Sequence, residues 1–138
     1  MTDITYHIVK ETDTARILEL YRQAGWWQMD DDPQHLVTVA RIVSDTYCFV
    51  IAKLGEEIIG MGRAISDGCS DAYIQDVTVD VIYRGKGIGK GIIHTLVDHL
   101  KANGLQWIGL ISEPGYERFY GSLGFKVMQS YTPFLLEQ

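Results

Sequence analysis

The sequence predicts an α+β domain (α/β in some schemes) built on a mixed central β-sheet flanked by helices, and three observations carry that reading. Two β-rich runs, Tyr47 to Leu54 and Glu57 to Ser66, are separated only by Gly55-Glu56, which predicts an antiparallel hairpin. A further run, from Tyr73 to about Val79, leads directly into a glycine-rich turn and a helix of four-residue apolar period. Hairpins ahead of a strand–helix–strand unit make the sheet mixed. At 138 residues and 46% hydrophobic, the chain has the length of one ordinary domain, residues 1–138, with its own core.

Taken in order, Ile4, Tyr6 and Ile8 alternate with Thr5 and His7, the pattern of a half-buried first strand. Thr12-Asp13 offers a helix cap, and Ile17, Leu18, Tyr21 and Ala24 share one helical face until Gly25, whose tolerance of left-handed backbone suits a helix end. A second helix is predicted from Asp32-Pro33, an acidic cap with proline in the first turn; its Leu36, Val39, Ala40 and Val43 recur at helical spacing. After the hairpin, Asp67-Gly68-Cys69-Ser70 forms a loop before the strand ending near Val79. Ile88, Ile92, Leu96 and Leu100 mark the next helix, which ends near Asn103-Gly104. Trp107 to Ile111 reads as a fifth strand and Tyr116 to Ser122 as a short helix. Phe125 to Ser130 and Pro133-Phe134-Leu135-Leu136 are expected to supply the last strands, for an order of β-α-α-β-β-β-α-β-α-β-β.

Composition narrows the function classes. A formal charge of −6 leaves no excess of basic residues for a phosphate backbone, so no nucleic-acid partner is expected. Tyr21, Trp26, Trp27 and Met29 form an aromatic-rich patch, but nothing basic interleaves with it for base stacking. Cys48 and Cys69 form no CxxC pair, and Cys48 lies in an apolar run as a small buried hydrophobe. His7, His35, His94 and His99 lack metal-ligand spacing, and there is no GxSxG elbow, so no metal and no serine nucleophile is predicted. With neither a basic leader nor an apolar stretch near the roughly 20 residues a bilayer requires, no membrane association and a cytoplasmic setting are expected.

The chemistry-bearing segment is Tyr83-Arg84-Gly85-Lys86-Gly87-Ile88-Gly89-Lys90-Gly91. Alternate glycines let successive backbone N–H groups point into one cavity, and the helix that follows adds its unpaired N–H groups and positive dipole end. Arg84, Lys86 and Lys90 surround it with mobile positive charge. These are the components of a diphosphate site. Spacing excludes two readings: Lys90 is followed by Gly91 rather than the Ser or Thr of a magnesium-holding phosphate loop, and no counting places glycines at n, n+2 and n+5.

The spacing that does fit is (Gln/Arg)-x-x-Gly-x-(Gly/Ala), met by Arg84, Gly87 and Gly89. Together with the stretch from Val77 to Gly89, it resembles the acetyl-coenzyme A signature of the GNAT N-acetyltransferase superfamily, with Val81 standing where that family often has proline. Arg118-Phe119-Tyr120-Gly121-Ser122-Leu123-Gly124-Phe125 resembles the family's second recurrent segment, in the expected order along the chain. The resemblance implies cofactor contacts from Val77, Thr78, Val79, Arg84, Gly85, Lys86, Gly87, Ile88, Gly89 and Lys90, those at 77 and 79 through backbone. It implies that Tyr120 lies beside the coenzyme A sulfur, where a phenol can protonate the leaving thiolate; the alternative is a core aromatic with its hydroxyl satisfied. Glu113 stands where the family usually has asparagine.

The implied reaction is direct attack of a primary amine, probed first as a small molecule, on the thioester. Alternatives are acetylation of a protein or peptide, and an acyl-coenzyme A-binding regulatory module without catalysis. The amine's proton needs an acceptor. Where several family members keep Glu or His, this chain has Tyr73 and Gln75, which leaves Asp76, or a water chain draining to Asp30, Asp71 or Glu113. Strand alternation turns Asp76 away from Tyr73, Gln75 and Val77 unless a bulge intervenes. Trp26, Trp27 and Asp30, in the connection between the first two helices, and Tyr73 are the candidate substrate contacts, suited to an aromatic or aliphatic cation. The resemblance is compatible with a monomer or a homodimer.

Overall fold

The computed structural model describes residues 3–138. Chain order is β1 (Ile4–Val9), α1 (Thr14–Gln23), α2 (Gln34–Asp45), β2 (Cys48–Leu54), β3 (Glu57–Ser66) and β4 (Asp71–Val79), then a 3-10 turn at Val81–Tyr83, α3 (Ile88–Ala102), β5 (Trp107–Leu110) and α4 (Glu117–Ser122). The strands lie side by side in sequence order. β1 to β4 pair antiparallel, and β5 joins β4 in parallel after the α3 crossover, so the sheet is mixed as the element pattern predicts.

Two cores cover the two faces. Alternation along β2 sends Cys48, Val50 and Ala52 to one side, where they meet Ile88, Ile92, Leu96 and Leu100 of α3. It sends Phe49 and Ile51 to the other, against Ile17, Leu20 and Tyr21 of α1 and Val39 and Val43 of α2. Asp13 caps α1 by accepting the Arg16 amide at 3.2 Å, and Gly25 follows the helix with φ 84°. Asp32 accepts the Gln34 amide at 2.8 Å and thereby caps α2 in practice.

Three expectations change. Leu36 and Ala40 are exposed, and α2 buries Val39 and Val43 with Ile42 packed beside them; the helix is rotated toward Ile42 to cover Phe49 and Met61. β4 starts at Asp71 rather than Tyr73, because its parallel pairing with β5 extends back to Asp71–Trp107. The expected strands at 125–130 and 133–136 do not form. Ser130 takes left-handed backbone (φ 68°) and Pro133 has no amide hydrogen, so extended geometry is broken on both sides of Tyr131. Phe134 and Leu135 are more than 90% exposed, and an apolar run that buries nothing has no reason to pair.

α3 lies close against the sheet because β3 carries Gly60 and Gly62 beneath it. A Cβ at Gly62 would stand 2.6 Å from Ile92 Cγ2 and 3.1 Å from Val77 Cγ2, both branched and packed. Gly62→Ala is expected to lower unfolding free energy by about 1–3 kcal/mol in urea titration, with partial recovery when Ile92→Leu, which lacks the β-branch methyl, is added.

Candidate active site

The site begins where β4 and β5 part. Their pairing ends at Ile74–Leu110, while β4 continues to Val79, so the β5-facing backbone edge of residues 75–79 lies open. On its other side β4 is irregular. The register against β3 passes from Arg63–Gln75 to Met61–Thr78, and Asp76 takes φ 58°, a left-handed conformation unusual for aspartate. This bulge inserts one residue and inverts the alternation. Ala72 and Ile74 face α3 before it, and Val77 and Val79 face α3 after it. Asp76 is thereby turned to the α1 side, the exception that strand alternation left open.

There the Asp76 carboxylate is held on one oxygen. Tyr21 donates its hydroxyl to Oδ2 at 2.7 Å, and Arg63 donates Nε to the same atom at 2.7 Å. Among the described residues Oδ1 has no hydrogen-bond partner. Burial and the adjacent carboxylate push the Tyr21 hydroxyl far above its ordinary value, so it stays a donor. Arg63 reaches on to Thr46 Oγ1 at 3.1 Å and lines a groove of about 410 Å³ between α2 and β3 with Val37, Arg41 and Ile65.

Downstream, Asp80 fixes the turn into the glycine segment. Its Oδ2 accepts Arg16 at 2.6 Å and Gln23 Nε2 at 3.3 Å, and its Oδ1 accepts the Ile82 amide at 3.0 Å. Arg16 also donates Nε to the Ile58 carbonyl at 2.8 Å, so α1, β3 and the end of β4 meet at one largely covered guanidinium. Gly85 and Gly87 follow with φ 79° and 80°, and a Cβ at either would meet nothing within 4 Å. Gly87 is the N-cap of α3. Exposed Lys86 and Lys90 flank an uncovered helix N-terminus, a cradle whose bare backbone fits a diphosphate.

The remaining predicted cofactor contacts divide. Val77 and Val79 pack their side chains on the α3 core and Thr78 is buried, which leaves backbone as their functional part. Ile88 is buried under the helix, and Gly89 faces α4: a Cβ there would lie 3.6 Å from Phe119, an ordinary packing distance. Arg84 folds back, donating Nε to the Val79 carbonyl at 2.9 Å and bracing the turn. Gly91 serves packing, because the Tyr6 ring fills the space its side chain would need.

α4 carries Tyr120 to this place. Its ring packs edge-on against Phe119 at 5.0 Å and Phe125 at 6.0 Å. Burial, with Tyr116 and Glu113 nearby, raises its hydroxyl above the ordinary tyrosine value and keeps it protonated at neutral pH. Glu113 accepts the Trp26 indole N–H at 3.0 Å, joining the α1–α2 connection to the loop after β5. Trp26 also meets Tyr21 edge-on at 6.3 Å, so Trp26, Tyr21 and Asp76 form one strip. Trp27 packs between Tyr21 and His35, and with Asp30, Arg22 and Met29 it lines a cavity of about 350 Å³. Tyr73 stacks on Trp107 at 5.1 Å, and these described contacts do not bring it to Trp26.

Tyr21, Arg63, Arg16 and Gln23 were not candidates on sequence. Tyr21 has the spacing of a core residue and its partner lies 55 positions away, so only the fold brings them together.

A family model, Acetyltransferase (GNAT) domain, matches residues 21–133. An uncharacterized N-acetyltransferase of Pyropia yezoensis is 30% identical over 125 residues, covering 89% of this chain and 70% of the relative. Among solved structures, a GNAT-family acetyltransferase of Streptococcus pneumoniae superposes with a TM-score of 0.82 at 23% identity, covering 99% of this chain and 98% of that one. An aminoglycoside N-acetyltransferase solved in complex with CoA superposes with a TM-score of 0.78 at 17% identity, covering 100% and 97% of the two chains. At these identities the structural likeness is one of fold.

The Asp80 contacts generate a pH test. Burial alone would raise its carboxyl, but Arg16, the Ile82 amide and Gln23 outweigh it and hold the group below its usual value. Its stabilisation is therefore complete above about pH 4, the unfolded carboxyl range, and is lost as pH falls through the lower folded value. Asp80→Asn should cost on the order of 2 kcal/mol at pH 7, less than the 3–5 of a fully isolated buried charge, because Glu19 and Glu57 remain 3.2 and 3.7 Å from the guanidinium. Denaturant titrations from pH 7 to 3 should show a shallower acid decline for the variant.

Proposed function

Since the chain belongs to the GNAT acetyltransferase family and is an N-acetyltransferase, we propose that it transfers the acetyl group of acetyl-CoA to a primary amine of a small molecule, with Tyr120 as general acid and Asp76 as general base. The observation that carries this reading is the pair of left-handed glycines, Gly85 and Gly87, with open space above them at the N-terminus of α3. The family uses acetyl-CoA, and bound there it supplies a thioester whose carbonyl carbon is the electrophile.

The chain's own groups do the rest. N–H groups at 85–89 and the flanking lysines hold the diphosphate, and the open β4 edge at 75–79 pairs with the pantetheine arm as an added strand would. The amine nitrogen forms the new C–N bond while its proton passes to Asp76 Oδ1, the oxygen that Tyr21 and Arg63 leave free. As the C–S bond breaks, Tyr120 donates its hydroxyl proton to the sulfur, and solvent later restores it. Trp26, with Tyr21 beneath it and Glu113 on its indole nitrogen, forms a wall suited to a cationic amine. A peptide acceptor remains the second reading, to be tested in the same assay.

Calorimetric titration should show saturable acetyl-CoA binding at about micromolar affinity and none for ATP or NADPH; no binding by folded protein overturns the reading. A panel of arylalkylamines, polyamines and peptides, followed by thiol release, then ranks acceptors. Tyr120→Phe and Asp76→Asn should each lower kcat by about 100-fold or more, with KM for acetyl-CoA within about twofold of wild type. An unchanged kcat would remove the corresponding residue from the mechanism.

A further inference from the structure

Val81 is the first residue of the 3-10 turn that leads into the glycine loop. Its amide donates to Gln23 Oε1 at 3.1 Å, and Gln23 Nε2 donates to Asp80 Oδ2 at 3.3 Å. One side chain from the end of α1 thus grips two successive residues of the turn. The turn owes Val81 no partner of its own, since a first-turn amide lies outside the helical hydrogen-bond ladder. Without Gln23 the bond from Val81 would go to water and the backbone would be freer to rotate about this point.

The backbone itself shows what kind of restraint is being applied. Asp80 sits at φ −50° and ψ 137°, the extended conformation that a following proline imposes on its neighbour. A proline at 81, with its fixed φ and missing amide hydrogen, would fit the first position of such a turn. Here the residue is valine, and the restraint comes from 58 positions away.

We propose that Gln23 is a positioning residue for acetyl-CoA binding, which locks the Asp80–Val81 turn from outside and so aims the glycine loop. The inference rests on the reading that this loop takes the acetyl-CoA diphosphate. Because Gln23 is also the last residue of α1, it sets where the connection bearing Trp26 departs.

Gln23→Met keeps the length and helix preference of the side chain and removes both hydrogen bonds. Calorimetric Kd and KM for acetyl-CoA should each rise about 5- to 10-fold, with kcat at saturation within about twofold of wild type. Adding Val81→Pro to Gln23→Met should return Kd to within about twofold of wild type, a rescue that general destabilisation would not permit. Wild-type protein that fails to bind acetyl-CoA defeats the underlying reading. Wild type that binds, with Gln23→Met binding equally well or losing kcat at constant KM, defeats this inference alone. A folded double variant without recovery also overturns it. Should circular dichroism show the double variant unfolded, the split between Kd and kcat in Gln23→Met decides.

Discussion

The ion pair between Arg16 and Asp80 is the constraint on which the rest depends. Taking a guanidinium and a carboxylate out of water is costly, and a pair at 2.6 Å does little more than offset that cost. What it yields is position. Arg16 binds Asp80 and the Ile58 carbonyl together, so the first helix cannot slide along the sheet without stranding a buried charge. Every element of the proposed site hangs from that junction: the glycine loop follows Asp80, the bulge precedes it, and the Trp26 connection leaves the far end of the same helix.

From there the site is mostly backbone. A strand that outruns its neighbour leaves an unpaired edge, an inserted residue inverts the side-chain alternation, and two left-handed glycines bare a helix terminus. Side chains at 77 and 79 are committed to the core and influence ligand only by holding their own peptide groups still. In the proposed mechanism, chemistry that depends on side-chain identity is confined to a few groups, Asp76 and Tyr120 foremost, placed at the rim of this frame. The division explains how one architecture can receive a constant cofactor and a variable acceptor. The frame recognises through peptide groups that every sequence has, and the rim recognises through residues that can differ.

Much of this was legible beforehand because it rests on local rules. The four-residue period of Ile88, Ile92, Leu96 and Leu100 is buried as expected, and the helix ends at Ala102, capped at Asn103 ahead of left-handed Gly104, close to the expected end. The glycine spacing of 84–89 led to the correct family. The failures share a cause: each required knowing what lay opposite. Phe134 and Leu135 have the composition of a strand but no face to cover. Gly91 reads as one more loop glycine until Tyr6 is seen against it. Plain alternation turns Asp76 away from Tyr73, Gln75 and Val77, and the bulge that reverses this is a property of the pairing with β3, not of the residues from 73 to 79 alone.

That left-handed aspartate also bears on stability. A non-glycine residue in this region costs on the order of 1–3 kcal/mol, a sizeable part of the 5–15 that holds an ordinary domain folded. Glycine would relieve the strain, but it would leave the Tyr21 hydroxyl and the Arg63 guanidinium without the acceptor they share. The carboxylate and its strained backbone are therefore interdependent: the bulge aims Asp76 at Tyr21 and Arg63, and those two bonds hold the bulge in place.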